Sequence, residues 1–162
     1  MEIAEILDTV RSCDGALVLA PTEGDDAPEI AWGDYFFYFA PDGVVPTATQ
    51  PYATIVTKDY PDDTASRLGE GRWRVNIHVG QRALGELVDV DPADEAPRNF
   101  AATDEFLPHP VYGALGWVSV VAPGPVTGRT VLALLKSAHA DERARVERRS
   151  QTSSPSGGRP QA

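Results

Sequence analysis

Arg74, Asn76 and His78 fall on alternate positions of the segment RWRVNIHV, so an extended chain presents a guanidinium, an amide and an imidazole on one face. Successive members of the row lie roughly 7 Å apart along a strand. A guanidinium suits a carboxylate or phosphate, and an imidazole suits proton transfer. The same alternation also fits the plain solvent face of an antiparallel sheet. A second imidazole, His109, stands between Pro108 and Pro110. Each proline fixes its own φ, and the second drives His109 toward extended backbone. A ring held that stiffly loses little entropy when it bonds a ligand or the backbone. Tyr112 and Trp117 follow closely and are candidate pocket walls.

Other chemistries find less support. His78, His109 and His139 are the three histidines, without H-x-H, H-x-x-x-H or H-E-x-x-H spacing, so no metal site and no cofactor is expected. Cys13 stands alone, reads as a small buried hydrophobe, and cannot close an internal disulfide. No G-x-S-x-G elbow and no glycine-rich phosphate loop is present. The acidic clusters at 23–26 and 89–95 lack calcium-loop spacing and read as solvated loops. His139, four residues after Leu135, reads as a solvated helix residue. Tyr35, Phe37 and Phe39, with Trp73 and Trp117, are either plain core or the lining of an apolar pocket.

The elements that must position these groups follow from hydrophobic periodicity. Ile3, Ile6, Leu7 and Val10 mark one face of an N-terminal helix, which Asp14-Gly15 ends. Strands are expected at 16–20, 34–40, 52–57, 72–79 and 117–122. The segment 34–40 (DYFFYFA) is aromatic on both faces, which predicts a central strand covered on both sides. A helical turn is expected at 64–68, a short helix at 81–88, and a rigid turn at 106–113. Thr127 is the expected N-cap of a terminal helix with Val131, Leu134, Leu135 and Ala138 on its apolar face. Strands that follow one another with few intervening helices predict an α+β fold. Its antiparallel sheet has about five or six strands, with the helices at both chain ends packed on one face.

A chain of 162 residues has length for one domain with a full core. The net charge of -10 is unevenly spread. Residues 1–142 carry -14 and form the expected single domain, whereas residues 143–162 carry +4. Residues 143–150 read as the basic end of the terminal helix, and the Ser/Gly/Pro-rich stretch 151–162 as a disordered tail. So acidic a domain disfavours nucleic acid and anionic membrane as partners. No stretch approaches the roughly 20 apolar residues of a membrane span, and the first residues do not pattern as a signal peptide, so the expected setting is cytoplasmic. No residue pattern fixes the oligomeric state.

The segments PYATIVTKDYPDDTASRLGEGRWRVNIHVG and FLPHPVYGALGWVSVVAPGP, together with the aromatic strand DYFFYF, resemble the bacterial domain-of-unknown-function family 6194. The likeness extends over roughly residues 1–140. That family has no assigned reaction, so the resemblance implies no catalytic residues. A weaker likeness, in the closing H-x-x-x-x-W-V strand and following helix, is to the YjbR-like group of suspected DNA binders. Three functional readings follow. The first is a small-molecule binding or accessory module that uses Arg74, Asn76 and His78 with the His109–Tyr112–Trp117 corner. The second is an enzyme with His109 or His78 as general acid/base. The third is an interaction or regulatory domain without a catalytic pocket.

Overall fold

The structure, a computed structural model, describes residues 1–88 and 97–153. The acidic cluster at 89–95 and most of the predicted tail lie outside the described residues. Three helices and six strands follow the order α1 (Ile3–Arg11), β1 (Ala16–Leu19), β2 (Tyr35–Phe39), β3 (Ala53–Val56), β4 (Arg74–His78), α2 (Gln81–Leu87), β5 (Leu107–Pro108), β6 (Trp117–Val121) and α3 (Gly128–Thr152). The strands form one antiparallel sheet in the order β1-β2-β3-β4-β6-β5. This is the predicted α+β fold. No described helix is long and apolar enough to cross a membrane.

All three helices pack on one face of the sheet. Ile6, Leu7 and Val10 of α1 meet Val131, Leu135 and Ala138 of α3 over Phe37, Ile55, Val75, Ile77, Val118 and Val120. Alternation along each strand then sends the intervening residues to the opposite face. Gly15 joins α1 to β1 with φ +74, and a Cβ there would sit 2.6 Å from the Phe39 ring. Only glycine fits so close an approach in that conformation.

Several local expectations differ. The strand β2 is second from the edge, and only its Tyr35, Phe37 and Phe39 side is packed under helices. Its other face, Phe36 and Tyr38, is half-buried and lines a cavity. Residues 64–68 form no helix, because tertiary bonds dictate their path. Leu68 N–H donates to Asp59 at 2.8 Å, the Arg72 guanidinium donates to the Arg67 carbonyl at 3.0 Å, and Arg67 adopts φ +53. His139 is buried, not solvated. Its Nδ1 lies 3.1 Å from the Tyr52 hydroxyl and its Nε2 lies 2.8 Å from the Asp14 carbonyl oxygen. Cys13 is half-buried.

Thr127 precedes α3 but makes no capping bond of its own. Asp104, from a distant loop, instead fixes the turn that leads into the helix, accepting from the N–H groups of Gly124, Val126 and Thr127 at 2.8–2.9 Å and from the Thr127 hydroxyl at 2.6 Å. Desolvation works to raise the Asp104 pKa, but these bonds outweigh it and hold the carboxyl well below its ordinary range. The helix runs on to Thr152, with Arg145 and Arg149 both paired to the buried Glu142.

Candidate functional site

The sheet face turned away from the helices is the floor of a cavity of about 970 Å³. Strand parity supplies the floor. On β4 it places Arg74, Asn76 and His78, and the register sets Thr54 of β3 and Ser119 of β6 on either side of Asn76. The walls come from residues 47–51, the loop after β3 with Tyr60, Asp62 and Asp63, the turn after β5 with His109, Val111, Tyr112 and Leu115, and Glu142 and Arg145 of α3. His78, His109, Arg74, Asn76, Tyr112 and Trp117 therefore all border one space. Tyr35, Phe37 and Trp73 do not; they pack with the core under the helices.

At Arg74 and Asn76 the floor is polar, buried and fully bonded. Arg74 is 2% exposed and Asn76 2% exposed, so this row is not a solvent face. Arg74 grips Asp63 with both terminal nitrogens. Its Nε donates to Asn76 Oδ1 at 2.7 Å and its Nη1 to the Ser66 hydroxyl at 2.8 Å. Ser119 donates to the same Asn76 oxygen at 2.8 Å, and Asn76 Nδ2 donates to Thr54 at 3.0 Å. Desolvation opposes ionisation of Asp63, but the bonds and charge of Arg74, with a further contribution from His109, lower its pKa. The anion-binding role that its residue type suggests for Arg74 is thus taken by a carboxylate of the chain itself. Buried polar groups so completely partnered make a rigid floor.

The two imidazoles differ in what they offer. His109 Nδ1 lies 3.0 Å from the N–H of Val111 and 3.0 Å from that of Tyr112, so it accepts both and carries no proton. The proton sits on Nε2, which faces Asp63 at 3.6 Å and is approached by Arg74 at 3.2 Å. Both nitrogens are engaged, and the ring pins the turn that carries Tyr112. His78 is the reverse case. Its Nε2 lies 3.2 Å from the Leu115 carbonyl oxygen and must donate to it, which leaves the Nδ1 lone pair without a partner among the described residues. Its ring leans on Trp117 with centroids 5.6 Å apart. The turn that supplies Leu115 is locked to the end of β4 at Gly116, whose carbonyl accepts from Val79 and Gly80 and where a Cβ would meet Gly80 at 2.8 Å.

His109 is also held neutral. Burial first, and then the Arg74 guanidinium, push its pKa down to about 4, against the opposing pull of Asp63 and Asp62. A folded-state value below the unfolded one, about 6.5, means that the folded chain binds fewer protons between the two. Its contribution to stability is complete above the unfolded value and is lost as pH falls toward the folded one. Urea unfolding from about pH 7 to about pH 4 is expected to show this decline. In His109→Asn, whose amide oxygen replaces the Nδ1 acceptor but does not titrate, the decline should be shallower. Identical pH slopes in the two proteins would refute the assignment.

A family model matches residues 1–151, nearly the whole described chain. The chain belongs to DUF6194, a family of unknown function. No likeness to the YjbR-like group is found, and neither a curated protein nor a solved structure matches. The DUF6194 match spans every element around the cavity, so the floor and its walls lie inside the family's own domain. Sequence reasoning missed Asp63, Ser66 and Tyr60, which sit on a loop with no periodicity to place them. It also missed Thr54, Phe36 and Tyr38, which the register of β2, β3 and β4 sets on the same face as Asn76.

Proposed function

We propose that this domain is a small-molecule binding module and that its ligand lies on the open face of the sheet. The observation on which this rests is the polar row Arg74–Asn76–His78, locked by Asp63, Ser66, Thr54 and Ser119 at the bottom of a cavity of about 970 Å³. Ligand sites are concave, largely apolar and furnished with a few fixed polar groups. Here Phe36, Tyr38, Tyr112 and Trp117 supply the apolar walls. The ligand's own contacts are the aromatic faces and His78, while Arg74 and His109 hold the frame.

Tyr112 tests this without disturbing the fold, since it is 46% exposed. Compounds from a pool of flat aromatic molecules are expected to raise the melting temperature of the wild type and to do so much less for Tyr112→Ala. A pool that stabilises both proteins equally, or neither, contradicts the reading.

An enzymatic version of the same site is favoured by the unpartnered Nδ1 of His78. With Nε2–H fixed on the Leu115 carbonyl, Nδ1 is available to take a proton from a bound substrate. His109 has no lone pair to give and is not the base. For any cleft ligand that the protein converts, His78→Ala is expected to lower the rate by about a hundredfold or more while affinity falls only modestly. Unchanged conversion removes the enzymatic version and leaves the binding module.

A further inference from the structure

The charges around the cavity are arranged in a way that selects its occupant. Five ionised groups border it: Asp62, Asp63 and Glu142, and against them Arg74 and Arg145. Both cations are already engaged. Arg74 is buried; four of its N–H groups are directed at Asp63, Ser66 and Asn76, and the fifth faces the protonated Nε2 of His109 within the floor, so none points into the cavity toward an incoming carboxylate. Arg145 lies 3.0 Å from Glu142, which Arg149 also approaches at 3.5 Å. Asp62, by contrast, is exposed and forms no ion pair among the described residues. Among the charged and imidazole groups, those left to a ligand are the Asp62 carboxylate and the His78 Nδ1 lone pair, set beside the rings of Phe36, Tyr38, Tyr112 and Trp117. The field of residues 1–142, at -14, also raises the local concentration of cations.

We propose that the cleft takes a small organic cation, a protonated amine carried on a flat aromatic body, and discriminates against the corresponding carboxylate. This rests on the binding-module reading above and adds the ligand's charge. The ring stacks among the aromatic walls. The ammonium donates to Asp62 or to His78 Nδ1 and draws further on the negative faces of the rings. From Arg74 to His78 the floor extends about 13 Å along β4, room for one such molecule.

Three probes of matched shape separate charge from shape: tryptamine, 3-methylindole and indole-3-acetate. Each is titrated into the isotope-labelled full chain at low salt and followed by amide shifts. Tryptamine is expected to bind about tenfold more tightly than 3-methylindole, with indole-3-acetate weakest, and the gap should shrink as salt rises. In Asp62→Asn, tryptamine is expected to lose affinity by about threefold while 3-methylindole is unaffected. If all three bind the cleft equally, or the acetate binds best, the charge preference is overturned while the binding module stands. If none shifts a cleft residue at millimolar concentration, both fail together.

Discussion

Replacing Arg74 with methionine is expected to destabilise the domain by about 3–5 kcal/mol, the usual result of breaking a buried ion pair from one side. The side chain is 2% exposed and holds Asp63, Asn76 and Ser66 at once. Methionine fills much of the volume but leaves the Asp63 carboxylate without its charge partner and Ser66 without its donor. The urea midpoint should fall accordingly, and the melting temperature by on the order of 10 °C. Removing both charges, in Arg74→Met with Asp63→Leu, is expected to recover part of the loss, since an apolar pair carries no desolvation penalty. A single-variant loss below about 1 kcal/mol would mean that the pair is solvated and the floor is not the rigid structure described.

The second large effect is expected at Asp34, which is 0% exposed. Its carboxylate accepts from the Thr57 N–H at 2.8 Å, the Thr57 hydroxyl at 2.8 Å and the Tyr60 hydroxyl, and it lies 3.1 Å from Lys58 Nζ. Burial, and then the bond and charge of Asp34, push the Tyr60 pKa up, so this hydroxyl remains a donor. The cluster ties the start of the loop after β3 to the start of β2, and that loop delivers Asp63 to Arg74. Asp34→Ala leaves several donors without an acceptor and is expected to cost about 2–4 kcal/mol in urea unfolding. Asp34→Asn keeps an oxygen toward Thr57 and should cost less. Equal losses in the two variants would contradict the hydrogen-bond account.

Much of the fold is legible in the sequence because it depends on short-range periodicity. The alternation of Trp73, Val75, Ile77 and Val79 against Arg74, Asn76 and His78 reads directly as β4, and the spacing of Ile3, Ile6, Leu7 and Val10 reads as α1. The same periodicity places His139 on the buried stripe with Val131, Leu135 and Ala138. Reading it as solvated gave weight to polarity over position, and the Tyr52 hydroxyl and Asp14 carbonyl resolve that conflict. The two-residue β5 is not legible, since Pro108 cannot donate to a ladder and two residues carry no period.

The site is half legible for a related reason. Residue types and alternation identify Arg74, Asn76 and His78 as one row, and flanking prolines mark His109 as rigid. What the row does depends on partners brought from 11 and 35 residues away, Asp63 and His109. These turn Arg74 from a ligand-binding cation into part of the floor and His109 from a base into a bracket. No local pattern encodes that, because loops position their side chains through tertiary bonds.

The open face of the sheet is the proposed ligand site. Its most direct test is an amide and side-chain shift map of the labelled full chain with a flat aromatic compound that raises its melting temperature. The largest changes are expected at Tyr38, Thr54, His78, Tyr112 and the Trp117 indole N–H, with the helix-side core residues Ile6, Val75 and Leu135 still. Changes centred on the helices, or spread evenly with no maximum on this face, would contradict it.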